Sequence, residues 1–148
     1  MKSQIRRFQK KDSREVASLI NHTIFTINIK DYSAEHLETI AAMYSPEKLE
    51  NNAQMKTIFI AEIEGEIVGT ATIQDDYISC VFVLPDYMGK GIGKLLMETV
   101  EDDARQRELH NVRLDSSITA QTFYEERGYV IDIVKPGTIA MHKDLRRY

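Results

Sequence analysis

Residues 81–96 read VFVLPDYMGKGIGKLL, in which a β-branched apolar run ends at a proline and three glycines precede a helical apolar pattern. Proline cannot donate a hydrogen bond to a β-ladder, so it ends the strand. Glycines leave the backbone amides accessible to an anion, and the unpaired N–H groups and dipole of the following helix favour negative charge. The segment therefore predicts a strand, a turn and a helix N-terminus that together bind a phosphate group.

Spacing excludes two common phosphate-binding loops. A P-loop has a glycine five residues before its Gly-Lys pair and a Ser or Thr directly after it, but here those positions hold Met88 and Leu95. The dinucleotide fingerprint is Gly-x-Gly-x-x-Gly near the start of a βαβ unit. The glycines here are Gly89, Gly91 and Gly93, after a strand in mid-chain. One alternative to a phosphate site stays open, because a glycine turn can simply let a helix pack closely on a strand.

The composition is that of an ordinary globular protein, with 43% hydrophobic and 28% charged residues among 148. This length favours a single domain over residues 1–148, and a formal charge of −4 argues against nucleic acid as a partner. No apolar run approaches the ~18 residues of a membrane span, and residues 1–7 are basic but lack the apolar segment of a signal peptide. Cys80 is the only cysteine, which excludes an intrachain disulfide. We therefore expect a cytoplasmic protein with neither a nucleic-acid nor a membrane partner.

Hydrophobic periodicity predicts a series of helices and strands. Asp12, Ser33 and Ser45 are the expected caps of the first helices. The predicted helices cover residues 12–26, 33–44, 45–52, 93–104 and 117–126, and the predicted strands cover residues 4–8, 57–63, 67–73, 77–84, 112–116, 129–134 and 138–142. Without the short helix at 45–52 the order is β-α-α-β-β-β-α-β-α-β-β. This order indicates an α+β fold with a mixed, mostly antiparallel central sheet of about six or seven strands and helices on both faces.

Four positions carry more specific predictions. Gly69 in mid-strand indicates a bulge or a close approach of another backbone. The near-continuous apolar character of residues 77–84 indicates a central strand that is buried on both faces. Ser117 is expected to cap the helix that follows it. Glu101 falls on the side of its helix that we expect to face solvent.

Two segments of the chain carry a family resemblance. Residues 83–93 resemble the cofactor loop of the GNAT superfamily of N-acetyltransferases, Val-x-Pro-x-x-(Gln/Arg)-Gly-x-Gly-(Ile/Val)-Gly, and the matches are Val83, Pro85, Gly89, Gly91, Ile92 and Gly93, with Met88 at the Gln/Arg position. Residues 117–129 resemble the second signature of that family, Asn-x-x-Ala-x-x-Phe-Tyr-Glu-x-x-Gly-Phe. There the matches are Ala120, Phe123, Tyr124, Glu125 and Gly128, with Ser117 in place of Asn and Tyr129 in place of Phe. The predicted order of elements is also that of the family.

The resemblance implies acetyl-CoA as the acyl-donor cosubstrate, and we expect no metal because the sequence contains no visible metal-ligand cluster. In the family, the amides of the glycine turn hold the pyrophosphate, and a splay between the fourth strand and its parallel neighbour frees backbone groups that bind pantetheine and polarise the thioester carbonyl. The cofactor-binding residues expected on this basis are Val81, Val83, Met88, Gly89, Lys90, Gly91, Gly93, Lys94 and Ser117. The two lysines could equally be solvated residues at a helix start. Tyr124 is the expected catalytic residue, because a phenol stays protonated at neutral pH and can protonate the departing thiolate.

The reaction implied by the resemblance is direct transfer of acetyl from acetyl-CoA to a primary amine of a small molecule or a peptide. Such an amine must lose a proton, yet residues 77–84 lack the Glu that many relatives carry on this strand. The candidate bases are Asp75, Asp76 or a water route, and a plain solvated turn is the expected role of the two aspartates. The missing carboxylate also motivates an alternative function, a non-catalytic acyl-CoA-binding or regulatory protein.

Three aromatic residues of the first helical region, Phe25, Tyr32 and Tyr44, could line the acceptor site or could pack the helices on the sheet. The sequence leaves both options open. Many members of the family are dimers, so a homodimer is an open expectation for this chain.

Overall fold

The computed structural model describes residues 2–146 as a mixed sheet with helices on both faces. The strands are β1 (Ser3–Arg7), β2 (Thr57–Ile63), β3 (Glu66–Gln74), β4 (Tyr77–Val83), β5 (Asn111–Ser117), β6 (Val130–Lys135) and β7 (Thr138–Asp144). They form one seven-stranded sheet in the order β1-β2-β3-β4-β5-β7-β6. Only the β4–β5 pair within it is parallel. The prediction of a mixed, mostly antiparallel α+β fold is confirmed.

The helices are α1 (Ser13–Thr26), α2 (Ala34–Ala42), α3 (Pro46–Asn52), α4 (Ile92–Gln106) and α5 (Gln121–Glu126). The apolar faces of α1, α2 and α3 cover one face of the sheet in a cluster around Ile20, Leu37 and Ile60. The apolar face of α4 covers the opposite face in a cluster around Leu96 and Val100. None of the helices in residues 2–146 has both the length and the apolar character needed to cross a bilayer.

Of the three caps predicted for the first helices, two are confirmed. Ser33 Oγ accepts a hydrogen bond from the His36 N–H at 3.1 Å, and Ser45 Oγ accepts one from the Lys48 N–H at 3.3 Å. The prediction for Asp12 is wrong, because a 3₁₀ turn precedes α1 and directs this carboxylate away from the helix. Asp12 instead accepts two hydrogen bonds from Arg6, at 2.8 and 3.0 Å. Burial opposes its ionisation, but the hydrogen bonds from Arg6 and from the backbone outweigh burial and lower its pKa.

Strand β4 is central in the sheet, as predicted, but it is not buried on both faces. Only Ile78 is buried, and the other residues of the strand are half-buried. The reason is that β4 pairs with β5 through just Tyr77–Arg113 and Ile78–Leu114, after which the two strands diverge and leave one side of β4 open. A bulge follows at Cys80, which has a φ of +53°.

Glu101 also differs from its prediction. Its side chain is buried, with Oε1 2.9 Å from Lys143 Nζ and Oε2 accepting a hydrogen bond of 2.8 Å from the Tyr129 hydroxyl. The helical period alone could not show that α4 faces a lysine of β7 at this point. Burial, together with the charge of Glu101, raises the pKa of Tyr129.

Gly69 lies beside a bulge of β3 and also allows a close approach, so both parts of its prediction are confirmed. A Cβ at this position would lie 3.0 Å from Leu96 Cδ1 and 3.2 Å from the main-chain oxygen of Phe82. The glycine therefore permits α4 and β4 to pack against β3.

A Gly69→Ala substitution should lower the free energy of unfolding by about 1–3 kcal/mol, because the added methyl group overpacks this contact. Urea denaturation measures the change. The matched control is Gly65→Asn in the β2–β3 turn, where φ is +84° and the space is open. Asparagine tolerates this conformation, so the control should change stability by less than about 1 kcal/mol. Equal effects of the two substitutions would contradict the packing role of Gly69.

Candidate active site

The divergence of β4 and β5 opens a cavity of about 520 Å³. Helices α1 and α2 bound it on one side, and the N-terminal part of α4 and helix α5 bound it on the other. Of the residues predicted from sequence for the site, those that line the cavity are Val81, Val83, Met88, Gly89, Gly93, Ser117 and Tyr124. The structure therefore brings both sequence motifs to one cleft.

The glycine turn before α4 presents free backbone amides. Gly89 and Gly91 have φ values of +76° and +85°, which side chains with a Cβ rarely adopt. Within residues 2–146 the N–H groups of Gly89, Lys90 and Gly91 donate to no acceptor, and the first-turn N–H groups of α4 have no intrahelical acceptor. A Cβ added at Gly89 or Gly91 would meet no atom within 4 Å. The turn is thus an open cluster of donors of the kind that binds phosphate.

Gly93 has a different role in the same segment. A Cβ there would lie 2.9 Å from Cε1 of the Phe123 ring, so this glycine lets α4 and α5 pack closely. The two interpretations of the glycines that the sequence left open therefore apply to different positions. Close packing explains Gly93, whereas open amides explain Gly89 and Gly91.

The two lysines of the turn lie outside the cavity lining. Lys90 is exposed, with Nζ 5.4 Å from the centre of the Tyr87 ring, and Lys94 is an exposed residue in the first turn of α4. Met88 lies at the rim and is 41% exposed. Contacts of Lys90 and Lys94 with phosphates stay a prediction.

Strand β4 contributes backbone groups to the cleft. Beyond Ile78 it has no ladder partner on the β5 side, so the N–H and C=O groups that point toward β5 are free to bind a ligand. The bulge at Cys80 and Val81 changes the direction of these groups. Burial raises the pKa of the Cys80 thiol to about 12, which makes this cysteine a poor nucleophile at neutral pH.

Tyr124 is buried in an aromatic cluster at one wall of the cavity. Its ring packs edge-on against Phe123 at 5.1 Å and Tyr129 at 5.8 Å between centroids. Within residues 2–146 its hydroxyl has no hydrogen-bond partner. Burial raises its pKa, so the phenol is protonated at neutral pH and can donate a proton.

Ser117 is the last residue of β5 and does not cap α5, which begins only at Gln121. Its Oγ accepts a hydrogen bond of 3.1 Å from the Ala120 N–H and so closes the turn between the strand and the helix. The predicted cap is wrong because this turn separates Ser117 from the helix.

The acidic residues of the site differ from the sequence-based candidates. Asp75 and Asp76 do not line the cavity, and Asp76 Oδ1 instead accepts a hydrogen bond of 3.0 Å from Arg113. Sequence reasoning missed Asp115, which is the one Asp or Glu among the described residues that line the cavity. It follows Leu114, the last residue of β5 that pairs with β4. The alternation of Val112, Leu114 and Ser116 could have placed Asp115 on the opposite face of β5, although it could not have shown that a cleft opens there.

Asp115 accepts a hydrogen bond of 2.9 Å from the Tyr77 hydroxyl. Burial and this carboxylate raise the pKa of Tyr77 to about 12, so the phenol keeps its proton and holds Asp115 in place at the point where the strands diverge.

Tyr32 connects three segments around the cavity. Its hydroxyl donates a hydrogen bond of 2.7 Å to the main-chain oxygen of Gly137 and accepts one of 2.8 Å from the Ile118 N–H. It also lines the cavity, as does Tyr44, whereas Phe25 is a half-buried residue of α1 that packs against the core cluster on this face of the sheet. Of the two roles left open for these aromatic residues, Tyr32 and Tyr44 therefore line the cavity, and Phe25 packs its helix on the sheet.

A family model for an acetyltransferase (GNAT) domain matches residues 28–137. The chain belongs to the GNAT acetyltransferase family. Within this family it is similar to the uncharacterized N-acetyltransferase YafP of Escherichia coli, with 24% identity over 85% of this chain and 80% of YafP. It is 31% identical to YdhI of Bacillus subtilis over 55% of this chain, and that match spans only about half (54%) of YdhI.

Solved structures confirm the GNAT fold. A GCN5-related N-acetyltransferase from Rhodopseudomonas palustris superimposes with a TM-score of 0.90 at 26% identity and covers 97% of this chain and 96% of its own. The PaiA N-acetyltransferase of Thermoplasma acidophilum, solved in complex with coenzyme A, gives a TM-score of 0.88 at 21% identity over 97% of this chain and 99% of its own. In this GNAT chain, no group of three or more His, Cys, Asp or Glu within residues 2–146 could hold a metal ion.

A Tyr32→Phe substitution should lower the free energy of unfolding by about 1–2 kcal/mol, because two hydrogen bonds worth ~1 kcal/mol each are lost. Amide hydrogen exchange should become faster at Ile118. The control is Tyr87→Phe, which removes a single exposed hydrogen bond to Glu66 and should cost less than about 1 kcal/mol. Unchanged exchange at Ile118 would contradict the connecting role of Tyr32.

Proposed function

We propose that this GNAT chain transfers an acetyl group directly from acetyl-CoA to a primary amine of a small molecule or a peptide. The observation that carries the proposal is the cleft between β4 and β5, which has free amides at the glycine turn and the Tyr124 phenol in its wall. PaiA, which has the same fold, was solved in complex with coenzyme A, and this supports the use of an acyl-CoA donor.

The described residues fit such a donor. The free amides of Gly89 and Gly91 and the start of α4 would hold the pyrophosphate. The backbone of Val81 and Val83 on the open side of β4 would bind the pantetheine and polarise the thioester carbonyl. Acetyl-CoA supplies the acetyl group as a thioester, whose C–S bond breaks as the amine nitrogen attacks the carbonyl carbon.

Two proton transfers accompany the attack of the amine on the thioester. Tyr124 donates its proton to the departing sulfur. The raised pKa of its phenol keeps Tyr124 protonated until this transfer. Asp115 accepts the proton that the amine loses, directly or through a water, and Tyr77 holds its carboxylate in position. Asp115 thus supplies the carboxylate that β4 lacks. The alternative function, a non-catalytic acyl-CoA-binding protein, is based on the absence of a carboxylate from β4. Because Asp115 provides a carboxylate in the cleft, this argument no longer favours the alternative.

A panel of amines and peptides with thiol detection tests the proposal. At least one acceptor should release free coenzyme A thiol together with an equal amount of N-acetylated product. Tight binding of acetyl-CoA by calorimetry, with no amine raising thiol release above background, would support the non-catalytic alternative instead.

Tyr124→Phe should lower kcat by about 100-fold, the usual contribution of a general acid, and should leave acetyl-CoA affinity within about 2-fold. The matched control is Tyr44→Phe, a second tyrosine of the cavity whose pKa is also raised by burial. Thiol release measures kcat, and calorimetry measures affinity. Comparable losses of kcat in the two variants would argue against Tyr124 as the proton donor.

Asp115→Asn should lower kcat/KM for the amine by about 100-fold, since the amide cannot accept the proton. Acetyl-CoA affinity should not change. Asp76→Asn is the control, because Asp76 contacts Arg113 outside the cavity and its loss should leave kcat/KM within about 2-fold. Full activity of Asp115→Asn would leave a water route as the path of the proton.

A further inference from the structure

A second cavity of about 400 Å³ adjoins the active-site cleft. It lies on the face of the sheet that carries α3, between this helix and strands β2, β3 and β4. The residues that line both cavities are Met43, Tyr44, Ser79 and Cys80. The two spaces therefore share a wall beside the bulge of β4.

The second cavity carries positive charge. Lys48 and Lys56 are among its lining residues, and no Asp or Glu is. Lys56 is half-buried at the entry to β2 and forms no ion pair within 4 Å among residues 2–146. Lys48 is exposed at the rim, where its ammonium donates a hydrogen bond of 2.8 Å to the main-chain oxygen of Ala42. An uncompensated, partly desolvated ammonium such as that of Lys56 favours an anion.

The charge of Lys56 reaches the wall between the cavities. Lys56 and Cys80 both line the second cavity; burial raises the pKa of the Cys80 thiol, and the positive charge of Lys56 partly opposes this increase. Thr72 and Asn52 add polar groups to the same cavity. An anion held there would therefore have neutral hydrogen-bonding groups around it as well as the ammonium.

Tyr77 connects the second cavity to Asp115, the proposed proton acceptor. It lines the second cavity, while its hydroxyl donates a hydrogen bond to Asp115 in the active-site cleft. The cleft contains a carboxylate and the second cavity contains ammonium groups. A molecule that spans the two places would need an amine at one end and an anionic group at the other.

We propose that the second cavity binds an anionic group of the acceptor, so that the acceptor is an amine that also carries a carboxylate or a phosphate. This inference rests on the proposed acetyltransferase function. Lys56 is then the residue that determines specificity for the acceptor, and it does not take part in the chemical step.

Matched acceptor pairs test the proposal. One pair is an amino acid and its carboxamide, and the other is phosphoethanolamine and ethanolamine, so the two arms separate a carboxylate from a phosphate. In each pair the amine is retained and the anionic group is removed. In at least one pair the anionic member should have a kcat/KM at least about 10-fold higher, the effect of one charge-assisted hydrogen bond.

Lys56→Met should remove this preference by raising KM for the anionic acceptor about 10-fold or more, with kcat and the neutral acceptor unchanged. Lys56→Arg should retain most of the preference. The matched control is Lys11→Met, which removes an exposed lysine of the 3₁₀ turn before α1. It should leave kcat/KM unchanged for both members of each acceptor pair. Thermal unfolding and acetyl-CoA affinity should match the wild type in each variant. Equal kcat/KM for both members of both pairs, or equal losses for both members in Lys56→Met, would overturn the proposal.

Direct binding separates this inference from the proposed function. Calorimetric titration of the wild type with glutamate and with phosphoethanolamine should show saturable binding of at least one of them, and Lys56→Met should lose it. This result would support the anion site even if no amine were acetylated. Absence of binding of both probes to a protein that does bind acetyl-CoA would overturn the anion site and leave the proposed function intact.

Discussion

The structure depends on the short pairing between β4 and β5. The parallel ladder has only the pairs Tyr77–Arg113 and Ile78–Leu114, and beyond them each strand keeps its other neighbour, β3 or β7. A sheet that lost pairing on both sides of a strand would leave many backbone groups without partners, which is costly. Here the loss is confined to one side, and the freed groups face a cavity where a ligand can satisfy them. The cleft therefore exists because the central pair of strands stops pairing early.

The elements around the cleft follow from this opening. The bulge at Cys80 turns the free edge of β4, and Asp115 is the first residue of β5 after the ladder ends. Helix α4 continues from β4 and brings its N-terminus and the glycine turn to the same opening. Gly93 permits the approach of Phe123, and this approach brings α5, with Tyr124, to the cavity wall. The open amides of the glycine turn and the phenol of Tyr124 are thus brought to one cleft by the same packing contact.

The sequence predicted the fold well and the chemistry only in part. Hydrophobic periodicity and glycine positions are local signals, so the order of strands and helices and the turn before α4 were predictable. The early end of the β4–β5 ladder is a long-range property, and the apolar character of residues 77–84 therefore suggested a doubly buried strand. Glu101 was misplaced for the same reason, since its partners Tyr129 and Lys143 lie far along the chain. Asp115 had a local signal in the alternation of β5, but its importance depends on where that ladder ends.

The central claim is that the free amides of the glycine turn and the open edge of β4 bind acetyl-CoA. An acetyl-CoA titration followed by backbone amide NMR tests it most directly, because the amides themselves report the contact. The account predicts saturable shifts that are largest at Gly89, Gly91 and Val81, with little change at the amides of β1. Shifts confined to other surfaces, or no saturable shift at the glycine turn, would contradict it.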